Sequence, residues 1–239
     1  MISTLQKLVG INSHLTHANP TDSNFNANLP INVEVVKQID AMRYRLKVGR
    51  KELTTKSTKG LREGENYWGD FSQAKGGILT LSHLYKQPLL FQQRAYFLDI
   101  ALKEILIPSM FSINAFKALL IQTLSSDALS KEAFSALSYM LLAVSKEVVH
   151  LPLLDSGKRT LLQFKADESG YSFYAAFENL GPIEGTITPS GIAIRALYEK
   201  SLYFLDKVFS NLDKIESVTL QRDIMPLFDA TELSLDLKG

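Results

Sequence analysis

The spacing of apolar side chains along the chain changes twice after residue 30, and each change predicts a different kind of structure. From residue 30 apolar and polar positions alternate with a period of two, which is typical of half-buried strands. Five such runs are separated by short turns, and they span 33–39, 42–48, 52–57, 65–71 and 77–84. Five short strands with tight turns predict a small β-barrel of the OB or SH3 kind over 30–86.

Residues 87–150 have helical spacing instead. Apolar residues lie near one stripe over 90–105, Pro108 ends that stripe, and a second stripe covers 111–124. Ser130 is a typical N-cap residue and precedes a third apolar stripe. The segment is therefore predicted to be a helical middle section of three helices, a pattern that indicates core packing rather than chemistry.

After Pro152 the period returns to two. One hairpin is predicted from 161–166 with 171–178, a second from 183–188 with 192–197, then a helix over 199–212 and a strand at 218–221. A strand, a helix and a strand that return to one sheet form a crossover unit. Residues 151–239 are thus predicted to be a C-terminal α+β module, entered through an exposed connection at 151–158, and the fold class of the chain is α+β.

Residues 1–29 differ from the rest because they are rich in Ser, Thr, Asn and His. Such a segment buries too little apolar surface to offset its ordering entropy, so it is predicted to be a disordered polar tail. Ile2, Leu5, Leu8 and Val9 have the spacing of one face of a short helix. The two interpretations are a frayed terminus and a targeting or chaperone-docking segment.

The composition of the chain mainly excludes classes of protein. The 239 residues carry a formal net charge of +1 and no cysteine, so neither a global attraction to polyanions nor a disulfide framework is expected. The first residues lack the pattern of a secretory signal, and charges interrupt every long apolar stretch. These features predict a soluble, cytoplasmic protein without membrane insertion.

The search for catalytic and metal-binding motifs is mostly negative. The Gly157-Lys158-Arg159-Thr160 segment lacks the first glycine of a phosphate-binding loop, because Pro152 stands at that position. His14 and His17 are too isolated in the polar tail to make a metal site, and His83 and His150 have no acidic or histidine neighbour at ligand spacing. No nucleophile elbow is present. We therefore expect no enzyme activity, cofactor or metal, with an enzyme whose site forms only in three dimensions as an alternative.

One strand has a basic face. Arg43, Arg45 and Lys47 alternate with apolar residues, so a strand here places three cations on one side. The preferred interpretation is a solvated face, because several acidic residues lie in the same section. The alternative is a barrel that binds single-stranded nucleic acid through these three residues.

Leu180-Gly181-Pro182 interrupts one alternating run just before another begins. Glycine permits a backbone angle that its neighbours avoid, and proline belongs at a strand start or edge because it has no N–H to donate. The segment is therefore predicted to make a sharp entry into a strand at Ile183, with Glu184 on the solvent side of that strand.

The Leu-Gly turn, the alternating Ile183, Gly185 and Ile187, the hairpin, the helix and the closing strand together resemble the C-terminal domain of flagellar hook-length control proteins. The LKVGRKELTTKSTKGLREGENYW section also resembles, more loosely, folded N-terminal parts of some relatives. The chain departs from the family because helices replace the long polar ruler region and Gly185 replaces an apolar residue.

The resemblance implies a non-enzymatic role in flagellar or related type III export. In that role the polar N-terminus serves as the export signal and the C-terminal module contacts the export gate. The implied partner-binding residues are Leu180, Gly181, Pro182 and Glu184.

Overall fold

Two β-sheets, four α-helices and one short 3-10 helix make up the regular structure of the described residues. These residues are 29–57, 59–73, 79–98, 112–126, 129–155 and 157–230 of a computed structural model. The predicted α+β class is confirmed. The predicted polar tail lies almost wholly outside the described residues, of which residue 29 is the first.

The first sheet has five antiparallel strands in the order β3-β2-β1-β4-β5. They are β1 (Ile31–Gln38), β2 (Arg43–Val48), β3 (Lys51–Lys56), β4 (Asn66–Gln73) and β5 (Leu79–Lys86). All five predicted strands are confirmed, with residues 77 and 78 outside the described part. Alternation explains β2 directly, because Tyr44, Leu46 and Val48 are buried while the residues between them are exposed.

This sheet is open, so the predicted closed barrel is not confirmed. The edge strands β3 and β5 approach each other, but no strand pairing joins them within the described residues. Lys59 spans part of the gap, since its Nζ donates a hydrogen bond to the carbonyl oxygen of Leu84 at 2.8 Å. The apolar side of the curled sheet encloses a small core that includes Val33, Leu46 and Tyr67.

The helical section is partly as predicted. It contains α1 (Leu89–Gln92), α2 (Ile113–Leu124) and α3 (Lys131–Ser145), and Ser130 caps α3 by accepting a hydrogen bond from the Ala133 N–H at 3.1 Å. The predicted helix over 90–105 is wrong over 93–98, where a single 3-10 turn, Arg94–Tyr96, lies between extended Gln93 and Phe97, and Leu98 forms a parallel bridge with Leu153. Residues 99–111 lie outside the described part.

The second sheet has six strands in the order β11-β10-β9-β8-β7-β6. They are β6 (Val148–Asp155), β7 (Lys158–Asp167), β8 (Gly170–Phe177), β9 (Gly181–Ile187), β10 (Ile192–Ala196) and β11 (Ile215–Leu220). β10 and β11 are parallel and are joined by α4 (Glu199–Phe209), while the other neighbours are antiparallel. Both predicted hairpins, the helix and the closing strand are confirmed.

Strand β6 corrects two predictions, a helical section that reaches 150 and an exposed connection at 151–158. Leu151 and Leu153 are buried and paired with β7, so the boundary placed at 150/151 falls inside a strand. Both faces of β6 carry apolar residues, and a strand covered on both faces does not alternate and resembles buried helix. Pro152 is tolerated because β6 is the edge strand, where a missing N–H donor is acceptable.

The six-stranded sheet is covered on both faces. Helices α2, α3 and α4 pack on one face through a core that includes Leu120, Met140, Leu162 and Leu205. The opposite face packs against Trp68 of the first sheet, Phe91 of α1 and Ile224 near the C-terminus. The two sheets therefore share a core in which aromatic rings are prominent.

Candidate functional site

The Leu180-Gly181-Pro182 turn is an interior corner. All three residues are buried, and Gly181 has φ +71°. A Cβ on Gly181 would lie 2.8 Å from Cε2 of Tyr198, and the Ser201 hydroxyl donates to the Leu180 carbonyl oxygen at 2.6 Å. The sequence predicted the sharp entry but not its burial against Tyr198.

Glu184 lies on the face of the second sheet opposite the helices, whereas Ile183 packs against the helix-covered core. Its Oε1 accepts a hydrogen bond from Arg195 Nε at 2.8 Å, and the two residues are cross-strand neighbours. The side chains are 23% and 36% exposed, respectively. Of the four predicted partner-binding residues, Glu184 is therefore the one that a partner can reach in this conformation.

Glu184 belongs to a polar row that crosses five adjacent strands. Strand register places His150, Gln163, Tyr174, Glu184 and Arg195 side by side from β6 to β10. The first three are buried, and the last two form the partly exposed ion pair. The row thus has a buried end, His150, Gln163 and Tyr174, named here the dry end, and a solvent-accessible end at the ion pair.

At the dry end Gln163 holds the main chain of Phe228. Gln163 Oε1 accepts from the Phe228 N–H at 3.1 Å, and Nε2 donates to the Phe228 carbonyl oxygen at 2.8 Å. These two bonds fix the amide orientation, so Nε2 is also the donor toward His150 Nδ1 at 3.0 Å. The imidazole proton is consequently on Nε2 of His150.

Burial determines the charge state of this end. It lowers the pKa of His150 from its ordinary value of 6.5 to about 3, and it raises the pKa of Tyr174 well above its ordinary value. His150 Nε2 and the Tyr174 hydroxyl make no hydrogen bond within the described part of the chain. Both groups are neutral at pH 7 and shielded from solvent, which suits a structural role.

The irregular segment 221–230, named here the C-terminal strap, covers this dry end. Ile224 is fully buried, and its carbonyl oxygen accepts a hydrogen bond from the Tyr85 hydroxyl of the first sheet. The ring of Phe228 meets that of His150 edge-on, with centroids 5.5 Å apart. The strap therefore contacts both sheets.

A second polar cluster lies where the sheets meet. The Asp70 carboxylate lies 3.3 Å from His83 Nδ1 and forms an ion pair with Lys200 Nζ at 3.7 Å. His83 has φ +52°, beside an irregularity in the β4–β5 register, and its carbonyl oxygen accepts from the Tyr198 hydroxyl at 3.0 Å. No sequence pattern marked this cluster, because regular alternation does not reveal a bulge.

The Gly157-to-Thr160 segment is part of a clamp. Arg159 is 13% exposed, pairs with Glu178 at 2.7 Å, and donates to the carbonyl oxygens of Phe91 and Gln92 at 2.8 and 2.9 Å. Its guanidinium also lies over the Phe91 ring, 5.0 Å from the centroid. Arg159 thus ties α1 to the second sheet.

The basic strand has the predicted orientation, with Arg43, Arg45 and Lys47 all exposed. Arg43 pairs with Asp40 at 2.5 Å, and Lys47 pairs with Glu34 at 3.5 Å. Tyr44 is buried on the other side, so it supplies no stacking surface for a base next to these cations. Nucleic-acid binding here stays an alternative prediction.

Comparisons with protein-family models, curated proteins and solved structures give no match. Across the described ranges, no group of three or more His, Asp or Glu residues is placed to hold a metal ion. None of the described helices combines the length and the apolar character needed to cross a membrane.

Proposed function

We propose that this chain is a non-enzymatic docking protein of flagellar or related type III export, similar to hook-length control proteins. The observation that carries the proposal is the order of elements over 181–220. A Leu-Gly turn leads into the β9–β10 hairpin, and α4 then returns the chain to a parallel closing strand, β11. This is the order on which the resemblance to the C-terminal domain of that family rests.

The surface proposed for the contact is the accessible part of the face opposite the helices, named here the Glu184 surface. It consists of half-exposed or exposed cross-strand neighbours on β9, β10 and β11: Glu184, Thr186, Ala193, Arg195 and Thr219. On its β10–β11 side the ion pair has small neighbours, Ala193 and Thr219, so a partner can approach this part of the sheet closely. The partner proposed for it is the export gate.

The proposal is tested by binding of the full chain to the purified cytoplasmic domain of the export gate. Glu184→Lys and Thr219→Lys each place a new cation on the Glu184 surface, and both are expected to weaken binding at least tenfold. Thr219 is uncharged, so its replacement breaks no ion pair, and the Thr219→Lys variant therefore separates binding from folding. Glu168→Lys, in the exposed β7–β8 turn, is the matched control.

The double variant Glu184→Arg with Arg195→Glu preserves an ion pair but reverses its direction. If the partner recognises the individual charges, the double variant binds the gate domain as weakly as Glu184→Lys does. If the ion pair only stabilises the sheet, the double variant binds like the unaltered chain. Circular dichroism must show unchanged folds. Absence of association between the unaltered chain and the gate domain at high micromolar concentration would refute the proposed function.

The N-terminal residues 1–29 are proposed as the export signal. Removing residues 2–28 is expected to abolish secretion through the apparatus while binding to the gate domain persists. Secretion of the shortened chain at the unaltered level would overturn this part of the proposal. Secretion is measured by comparing the amount of the protein in the culture medium with the amount in the cells.

A further inference from the structure

Two cross-strand pairs in the first sheet place cation opposite cation. Lys37 of β1 is the register partner of Arg45 of β2, and Arg43 of β2 is the partner of Lys56 of β3. All four side chains are exposed. Like charges directly opposite each other destabilise a sheet, so this arrangement carries a cost for folding.

Acidic neighbours relieve only part of this repulsion. Asp40 pairs with Arg43, and the Glu63 carboxylate accepts a hydrogen bond from the Gln38 N–H, next to Lys37, at 2.6 Å. Lys47, farther along β2, has Glu34 and Glu52 as register partners. Within the described residues, Lys37, Arg45 and Lys56 form no ion pair. The excess positive charge is therefore concentrated near the end of the sheet where the β1–β2 hairpin turns.

The same end of the sheet exposes apolar side chains. Val36, Ile39 and Met42 are 38%, 42% and 49% exposed. Asp40 holds the turn between Ile39 and Met42 by accepting hydrogen bonds from the N–H groups of Met42 and Arg43 at 3.0 and 2.8 Å. The tip is thus an ordered turn that presents aliphatic groups to solvent beside unpaired cations.

We propose that this hairpin tip docks peripherally on an anionic lipid surface. Ile39 and Met42 enter the boundary between headgroups and acyl chains, and Lys37, Arg45 and Lys56 contact lipid phosphates. Long lysine and arginine side chains reach headgroups while their stems lie along apolar surface. The inference goes beyond the proposed export function and does not depend on it.

Lipid is favoured over nucleic acid by the kind of apolar group at the tip. Single-stranded nucleic acid is held by aromatic rings that stack on bases, whereas the exposed groups here are aliphatic, and the neighbouring Tyr44 is only 2% exposed. Aliphatic side chains next to cations suit a membrane interface. The acidic Asp40 does not oppose this docking, because Arg43 neutralises it.

Vesicle flotation with the full chain tests the proposal, using phosphatidylcholine vesicles that contain or lack phosphatidylserine. Binding is expected only with phosphatidylserine and is expected to fall as salt rises. The double variant Lys37→Gln with Lys56→Gln should weaken binding about 30-fold, since each cation near the surface contributes roughly a factor of five. Ile39→Ser with Met42→Ser should weaken it roughly tenfold.

Lys165→Gln with Lys214→Gln is the matched control, because it removes the same charge from exposed positions on β7 and in the turn before β11. Its binding is expected to equal that of the unaltered chain. The proposal fails if phosphatidylserine vesicles do not bind at low salt, or if the control loses as much affinity as the tip variant. It also fails if single-stranded DNA binds more tightly than vesicles and the Ile39/Met42 variant leaves that binding unchanged.

Discussion

Trp68 Nε1 donates a hydrogen bond to the carbonyl oxygen of Phe177 at 3.0 Å, and this bond joins the two sheets across 109 residues of sequence. The indole is fully buried, and its ring centroid lies 5.0 Å from that of Phe91. Trp68 is also the only tryptophan of the chain. Intrinsic tryptophan fluorescence therefore reports on the contact between the sheets and on no other region.

The first prediction concerns this contact. Trp68→Phe leaves the buried Phe177 carbonyl oxygen without its donor and leaves a cavity, so the free energy of unfolding is expected to fall by about 2 to 4 kcal/mol. Urea denaturation followed by far-ultraviolet circular dichroism measures it. Tyr203→Phe, at a position that is 72% exposed, is the control and should change stability by less than about 0.5 kcal/mol.

The shared core also predicts that both sheets unfold together. In the unaltered chain, the urea midpoint from Trp68 fluorescence should coincide with the midpoint from circular dichroism. Two separated midpoints would show that the sheets unfold independently and would contradict the importance assigned to the Trp68 contact.

The second prediction separates the cost of a positive backbone angle from the cost of overpacking when a glycine is replaced. Gly64 and Gly181 both have positive φ, but a Cβ on Gly64 meets nothing within 4 Å, whereas one on Gly181 meets the Tyr198 ring. Gly64→Ala is expected to cost about 1 to 2 kcal/mol from the backbone angle alone. Gly181→Ala should cost about 2 to 5 kcal/mol, because overpacking adds to that angle. Equal losses in urea denaturation would show that the ring moves away freely.

The fold was largely predictable where side chains alternate regularly. β2 and β9 each have one buried face, so period two located both strands and placed Glu184 opposite Ile183. β6 was missed because a strand buried on both faces has no alternation. Whether the first sheet closes into a barrel could not be predicted from local pattern, because pairing of the edge strands depends on curvature that residues distant in sequence determine.

The third prediction is a pH dependence from His150. Its pKa is lowered from 6.5 to about 3 in the folded chain, so below pH 6.5 the unfolded chain binds a proton that the folded chain does not. The free energy of unfolding therefore decreases as the pH is lowered, by about 2 kcal/mol from pH 7 to pH 5 from this group alone. Guanidinium or urea denaturation at several pH values measures the loss.

His150→Asn is the matched variant for this prediction. Its side-chain oxygen can accept the Gln163 hydrogen bond, but it does not titrate. Between pH 7 and 5 the carboxylates with lowered pKa, such as Asp40 and Asp167, stay ionised in both states, so they add little. An identical slope in both proteins would show that His150 is not the source.

The fourth prediction concerns the C-terminal strap. Gln163→Met keeps the side-chain length but removes both hydrogen bonds to the Phe228 main chain. Amide hydrogen exchange over 222–230 is expected to accelerate at least tenfold while exchange in β7 and β8 changes little. Gln122→Met, at an exposed position on α2, is the control. Unchanged exchange at Phe228 would show that apolar burial alone holds the strap.

The candidate sites were less predictable than the strands. Alternation placed Arg43, Arg45 and Lys47 on one exposed face, and the sharp turn at Gly181 was inferred from residue type. The interaction between Gln163 and Phe228 joins residues 65 positions apart in the sequence, and no local pattern predicts it. The same holds for the cation pairs, since Lys37 meets Arg45 only once the register of the hairpin is known.

The strap has a consequence for the order in which the chain can mature on the ribosome. Tyr85 is synthesised 139 residues before Ile224, whose carbonyl oxygen it binds, and Gln163 is made 65 residues before Phe228. During translation the first sheet can therefore form its own small core, but its attachment to the second sheet stays incomplete until residues 221–230 have left the exit tunnel. Before that moment the aromatic rings around Trp68 and Tyr174 lack part of their cover, so the nascent chain exposes apolar surface that the finished protein buries.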